Sequence, residues 1–219
     1  MDMTTSTYWD LINATCSGEL RGQALQTAYN DWSPKYNQDY AKAAYNGPKI
    51  GAMKMAEIIR DKHCQILDVG CGTGQVGELM AKRGFTNLHG VDFSEKSIEV
   101  ARATGCYRSV RYADLLNGGI PDKDNEYDAL VTVGTFCPGH LNTPCFPEFA
   151  RVVKPGGLIV LVMREANLFN SPEFNNGQVD SAIVELSKNG TLRYLKREWV
   201  PNYLDDMPGI IFVFQTPEI

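Results

Sequence analysis

Three glycines in five positions, set behind a short apolar run, constrain this chain more than any other stretch. The run is Ile66-Leu67-Asp68-Val69-Gly70-Cys71-Gly72-Thr73-Gly74. Ile66 to Val69 reads as a strand buried on both faces. The glycines form a tight turn without Cβ atoms, so a ligand can lie directly against the backbone. Val76, Leu79 and Met80 then recur at helical spacing, Lys82 and Arg83 suit a last turn, and Gly84 suits the stop. A strand, a glycine loop and a helix together make a nucleotide-type binding unit. The spacing is G-x-G-x-G, whereas a dinucleotide fingerprint needs G-x-G-x-x-G with its pyrophosphate on the helix N-terminus.

Further strands follow at α/β spacing. Leu88 to Asp92 is a short strand ending in an acid, 18 positions after Gly74. Nucleotide sites place a ribose-binding carboxylate at roughly 20. The other reading of Asp92 is a cap for the next helix, a place that Ser94 already fills. That helix carries Ile98, Val100 and Ala101 as apolar positions and closes at Gly105. Ser109 to Tyr112 and Tyr127 to Gly134 are the next strands, and Asp114 between them reads as a ligand contact or a turn aspartate. Phe146 to Val153 is a helix, and Lys154-Pro155-Gly156-Gly157 turns into the strand Leu158 to Met163. Ser181 to Lys188 is a helix, with Ala182, Ile183, Val184 and Leu186 apolar. Two closing strands, Leu192 to Val200 and Ile210 to Phe214, are separated by Pro201 and the Asp205-Asp206-Met207-Pro208-Gly209 turn.

Leu67 to Gly74 closely resembles the first motif of class I S-adenosylmethionine (SAM)-dependent methyltransferases. The V-K-P-G-G turn at Val153 to Gly157 and the terminal strand pair resemble the same family. So does Tyr29-Asn30-Asp31-Trp32-Ser33-Pro34-Lys35-Tyr36-Asn37-Gln38-Asp39, which resembles the opening of many small-molecule members. More closely, Tyr45-Asn46-Gly47-Pro48, Gly139-His140-Leu141 and the stretches from Val200 and Gly209 look like the methyltransferase-like family typified by the Williams–Beuren syndrome critical region methyltransferase. The resemblance implies a Rossmann-like α/β fold: a seven-stranded sheet with helices on both faces, an antiparallel last strand and an N-terminal helical lid. Residues 1–60 would form that lid and residues 61–219 the core of the same domain. It implies SAM as cofactor and S-adenosylhomocysteine as product. The implied cofactor site comprises Tyr36 from the lid and Asp68, Gly70, Cys71, Gly72, Thr73 and Gly74 from the loop. Asp92 would take the ribose and Phe93 the adenine, with Ser94 beside them. Asp114, flanked by Ala113 and Leu115 in the same site, would accept from the adenine amino group, and Thr132, Val133 and Gly134 would face cofactor and substrate.

The N-terminal segment has no glycine loop or buried strand and reads as helical. Asp10 to Thr15 and Leu20 to Trp32 carry helical patterns, and Ser33-Pro34 breaks the second. Ile50 to Arg60 follows, with Ile50, Met53, Ile58 and Ile59 apolar. Tyr8, Trp9, Tyr29, Trp32, Tyr36, Tyr40 and Tyr45 crowd this segment, and each either packs on the sheet edge or lines a pocket.

Composition narrows the class. The 219 residues suffice for one domain with a full core. Hydrophobic residues at 43% and charged residues at 21% argue against disorder. A net charge of −5 disfavours nucleic acid as a partner, because phosphate binding needs a basic surface. No apolar run approaches the roughly 20 residues of a membrane span, and Met1 to Thr5 lack the marks of a signal peptide. Six scattered cysteines without a C-x-x-C fit reduced thiols in a cytoplasmic protein. No His, Cys and acid cluster has metal-ligand spacing. The expectation is a monomer or homodimer acting on a small molecule.

Methyl transfer from a sulfonium is an in-line displacement in which the protein mainly aligns the reactants. A general base is needed only for a protonated acceptor, and the candidates are His140, Tyr36 and Tyr45. Cys137 reads as a small buried residue near the pocket, and Glu165 either points into it or pairs at its rim. The competing readings are a catalytically silent SAM-binding partner or sensor and, more remotely, an NAD-dependent oxidoreductase.

Overall fold

The computed structural model describes residues 7–218, so Met1 to Thr5 lie outside the described residues. Seven strands form one sheet in the order β3-β2-β1-β4-β5-β7-β6. They are β1 Ile66–Val69, β2 Leu88–Asp92, β3 Ser109–Tyr112, β4 Tyr127–Val133, β5 Val153–Arg164, β6 Arg193–Leu204 and β7 Met207–Gln215. Neighbours are parallel from β3 across to β5, and β7 pairs antiparallel with both β5 and β6. This is the expected sheet of the SAM-dependent methyltransferase fold. The chain reverses direction after β1, to β2 and β3 on one side and β4 on the other. Such a switch point opens a crevice at the carboxyl ends of the central strands.

Side-chain alternation builds two cores. In β4, β5 and β7, Leu130, Ile159, Leu161, Phe212 and Phe214 pack on one face with α6 (Phe146–Val152) and α8 (Gln178–Lys188). Val131, Val160, Val162, Ile211 and Val213 pack on the other with α3 (Gly47–Ile58) and α4 (Gln75–Ala81). α5 (Glu95–Ala103) buries Ile98 and Ala101 against Cys71 and Val110.

Several local expectations give way to tertiary packing. Ser33-Pro34 does not end a helix: α2 runs unbroken from Gly22 to Lys42 with Pro34 inside it. Trp32, Tyr36 and Tyr40 pack in succession, edge-on and tilted, with ring centroids 4.8 and 4.6 Å apart, and the Trp32 indole donates to Asp39 at 3.0 Å. That packing offsets the lost amide donor of Pro34. In α3, Met53 is 51% exposed while its neighbour Lys54 is 6% exposed. Gly51 faces β4 so closely that a Cβ would lie 2.5 Å from Val133 Cγ2, which turns Met53 outward and Lys54 toward Glu198 on β6. Val184 of α8 is likewise exposed, and Val179 takes the inward place. Pro201 lies within β6, at a register irregularity, rather than between strands. A short α1 (Tyr8–Cys16) precedes α2 and opens on a Thr7–Asp10 capping box. α7 (Asn167–Asn170) follows β5.

Candidate functional site

β1 ends at Val69, and the amides of Gly70 and Cys71 both donate to Val91 O, at 2.8 and 3.1 Å. This folds the glycine loop against the end of β2. Gly72 sits at φ +53°, in the left-handed region, and a Cβ there would point into open space. Its N–H donates to Asp92 Oδ2 at 2.8 Å, and the Ser94 N–H donates to Asp92 Oδ1 at 2.8 Å. Each carboxylate oxygen thus keeps acceptor capacity where Asp92 borders the cleft. Burial lifts the Asp92 carboxyl above its usual range, and the backbone N–H bonds oppose that lift. Ser94, not Asp92, caps α5, accepting from Ser97 N at 3.1 Å and donating to Asn30 of α2 at 2.8 Å.

Asp68 stands behind the loop, 3% exposed. Its Oδ2 accepts from the Tyr107 hydroxyl at 2.6 Å, and its Oδ1 has no partner among the described residues. Burial pushes its carboxyl up to about 7; the Tyr107 bond pulls the other way, and the Asp92 charge adds to the rise. Tyr107 also accepts from Gly77 N at 3.0 Å, which gives α4 the N-terminal partner that Gly74 has no side chain to provide. The Cys71 thiol packs under Gly90 and is raised by burial. Thr73 donates to Asn37 of α2 at 2.5 Å. Thr132 donates to Val69 O, tying β4 to β1 behind the wall.

α2 roofs the crevice. Gln26 donates to Phe93 O at 2.6 Å, and Tyr29 meets the Phe93 ring edge-on at 5.7 Å. A cavity of about 170 Å³ lies beneath, between Gly70, Gly72 and Asp92 on one side and Tyr29, Tyr36 and His140 on the other. Phe93, Tyr112, Ala113 and Leu115 make an apolar slot at one end, and Val133, Gly134 and Thr135 form the floor. Asp114 borders that slot while acting as a turn aspartate: it accepts from Leu116 N at 3.1 Å and Asn117 Nδ2 at 2.8 Å.

At the other end, His140 Nδ1 lies 3.0 Å from Pro138 O, an atom that can only accept. The ring proton is therefore on Nδ1, and Nε2 accepts from the Tyr29 hydroxyl at 2.8 Å. Burial holds the His140 pKa below its ordinary value, so the imidazole is neutral at neutral pH. Burial likewise raises the Tyr36 and Tyr45 phenols well above their usual range, which leaves them hydrogen-bond donors rather than bases. Tyr36 borders the cavity, whereas Tyr45 stands behind it, against Gly134 and 3.2 Å from the Tyr203 hydroxyl. Glu165 accepts from the Trp199 indole, away from the cavity. The motifs gave no sign of Tyr107 or Gln26, and Asn37 stood in a motif without a role of its own; each acts across a distance in sequence that only the fold closes.

The cavity brings together a buried carboxylate with spare acceptor capacity, an open glycine backbone, an apolar slot and, nearby, an orphaned carboxylate oxygen, a combination that suits a ligand carrying hydroxyls and a flat apolar ring. A family model described as "Methyltransferase domain" matches residues 66–157. Human methyltransferase-like protein 27 is 35% identical over 138 residues, 62% of this chain and 56% of that protein, so this chain spans little more than half its length. Demethylmenaquinone methyltransferase of Listeria monocytogenes is 24% identical over 203 residues, 88% of this chain and 84% of that protein. A TehB-like SAM-dependent methyltransferase of Corynebacterium glutamicum superposes with a TM-score of 0.61 at 19% identity, covering 85% of this chain and 98% of the other. Residues 66–157 thus match a methyltransferase domain, and the whole sheet shares its fold with solved SAM-dependent methyltransferases.

Proposed function

We propose that this protein transfers a methyl group from SAM to a small-molecule acceptor. The observation that carries the reading is Asp92: a buried carboxylate fixed by two backbone amides at the end of β2, beside the open glycine loop. Two ribose hydroxyls are donors, and the spare acceptor positions of Asp92 suit them. Gly70 and Gly72 would receive the methionine part, and Phe93, Ala113 and Leu115 the adenine. The bound cofactor supplies an activated methyl on sulfur, and the chain's own work is alignment, a contribution of about 7–11 kcal/mol when geometry is held. Tyr29 and His140 handle the proton if the acceptor carries one. The Tyr29 oxygen would take the acceptor's proton while its own proton moves to His140 Nε2, 2.8 Å away.

The small acceptor is supported by the likeness to the demethylmenaquinone methyltransferase. The finer placement, in the methyltransferase-like family typified by the Williams–Beuren region enzyme, draws on the likeness to human methyltransferase-like protein 27. α1, α2 and the start of α3 would serve as the lid. In calorimetric titration, SAM and S-adenosylhomocysteine bind at micromolar concentration and NAD does not. Asp92→Ala weakens SAM binding at least a hundredfold in a protein that stays folded; unchanged binding would sink the ribose assignment. Release of S-adenosylhomocysteine on a panel of phenols, amines and thiols separates an enzyme from a silent binder.

A further inference from the structure

Two thiols outside the proposed methyl-transfer chemistry lie side by side where the N-terminal helices meet the pocket loop. Cys16 is the last residue of α1, and Cys137 lies in the loop after β4, 121 positions later. Their sulfurs are 3.9 Å apart. Cys137 is 7% exposed and Cys16 is partly exposed. The two segments are held together independently of the sulfurs. Gly18 abuts Pro138 so closely that a Cβ would lie 2.8 Å from the proline Cβ, and Gly139 abuts Leu20 O. Glu173 accepts from both Arg21, at 2.7 Å, and Gly139 N, at 3.3 Å. Among the described residues, none of the other four cysteines makes a hydrogen-bond contact with a second thiol.

We propose that Cys16 and Cys137 form a reversible disulfide, an oxidation site that fastens α1 to the pocket loop. A disulfide needs sulfurs about 2 Å apart, so bond formation requires the two side chains to rotate toward each other between segments already held together. The pair divides the labour. The hydrogen bond from Cys137 draws the Cys16 thiol below its ordinary value, and the same contact with burial raises Cys137. Cys16, the more acidic thiol and the one on the less buried residue, meets the oxidant first, and Cys137 resolves it. With a peroxide, the Cys16 thiolate attacks one oxygen, the O–O bond breaks and hydroxide leaves, so that Cys16 carries S–OH. The Cys137 sulfur then attacks the Cys16 sulfur and the S–O bond breaks. The departing hydroxide takes up the Cys137 thiol proton as water. Two thiols and one peroxide become one disulfide and two waters. His140 Nδ1, 3.1 Å from the Cys137 sulfur, donates to it as its proton departs.

The test uses the reduced full chain, treated with hydrogen peroxide under native conditions, alkylated, and mapped by mass spectrometry without reduction. The expected result is one cross-linked peptide pair containing Cys16 and Cys137, loss of two of the six thiols, and full reversal by dithiothreitol. The thermal midpoint rises by several degrees in the oxidised form, because a cross-link across a long loop restricts the unfolded chain. Cys16→Ser and Cys137→Ser each abolish the cross-link, and Cys64→Ser leaves it. Recovery of Cys16 and Cys137 both alkylated from oxidised protein with a native circular dichroism spectrum would overturn the proposal. So would over-oxidation of Cys16 without a cross-link, or pairing with a different cysteine. None of these readouts requires methyl transfer, so the proposal stands or falls apart from the activity.

Discussion

Tyr107→Phe removes one oxygen atom and tests how the glycine loop is held. The ring would stay, packed against Gly74, Gly77 and Gly90, so no large cavity opens. The hydroxyl makes two bonds that water cannot replace: it donates to Asp68 Oδ2 at 2.6 Å and accepts from Gly77 N at 3.0 Å. A hydrogen bond to a charged group contributes about 1.5–3 kcal/mol, and a buried amide left unpaired costs about 1–3 kcal/mol. With partial relaxation the sum is about 3 kcal/mol, or roughly 6–12 °C in thermal midpoint for a chain of this size. The effect depends on pH with a definite sign. The Asp68 carboxyl stands at about 7 in the fold, against 3.8 for the free group. The folded protein therefore holds a proton that the unfolded chain releases, and stability falls as pH rises from about 4 to about 7. The Tyr107 bond lowers that folded value, so its loss raises it further. The variant goes on losing stability above the pH at which the wild type levels off. Urea unfolding of both proteins at about pH 6 and about pH 8.5 reads this directly. A deficit that is larger at the higher pH is expected. A deficit below about 0.5 kcal/mol at both, or one that shrinks with pH, would refute the assignment of Asp68 and Tyr107 as a coupled pair.

Other perturbations read other parts of the structure. Gly134→Ala should cost about 1–3 kcal/mol, because Gly134 sits at φ +73° and a Cβ would lie 2.5 Å from the Tyr45 hydroxyl; a thermal midpoint equal to wild type would contradict the close approach. Pro34→Ala restores an amide donor inside α2 and should raise stability by about 1–2 kcal/mol, part of the roughly 3 kcal/mol a helix-interior proline costs. A lower midpoint would mean that the proline's restraint of the unfolded chain prevails. Burial depresses His140 below 6.5, so the unfolded chain binds its proton first and stability falls as pH drops from about 6.5 through the folded value. Long-range nitrogen–proton correlation spectra should show His140 as the neutral Nδ1–H tautomer at neutral pH, and an Nε2–H tautomer would remove the Tyr29 route.

Sequence alone determined the elements whose reason is local. A run such as Ile66 to Val69 can only be a buried strand, and the glycines after it can only turn. The same logic gave β3 at Ser109 to Tyr112, the Ser94 cap of α5 and the acid that closes β2. The alternation and order of these pieces carried the α/β class, and the seven-stranded sheet was implied by the resemblance to class I methyltransferases. Tertiary structure decided what depends on partners far along the chain. Pro34 is tolerated because Trp32, Tyr36 and Tyr40 pack as a stripe. Met53 and Lys54 exchange their expected places because Gly51 presses on β4 and Glu198 waits on β6. Asp68 is held by Tyr107, 39 positions away, and His140 by Tyr29, 111 positions away. Periodicity records which face of an element is apolar, but it cannot record which distant side chain will satisfy a buried charge. That choice is made only when the sheet brings the strand ends together.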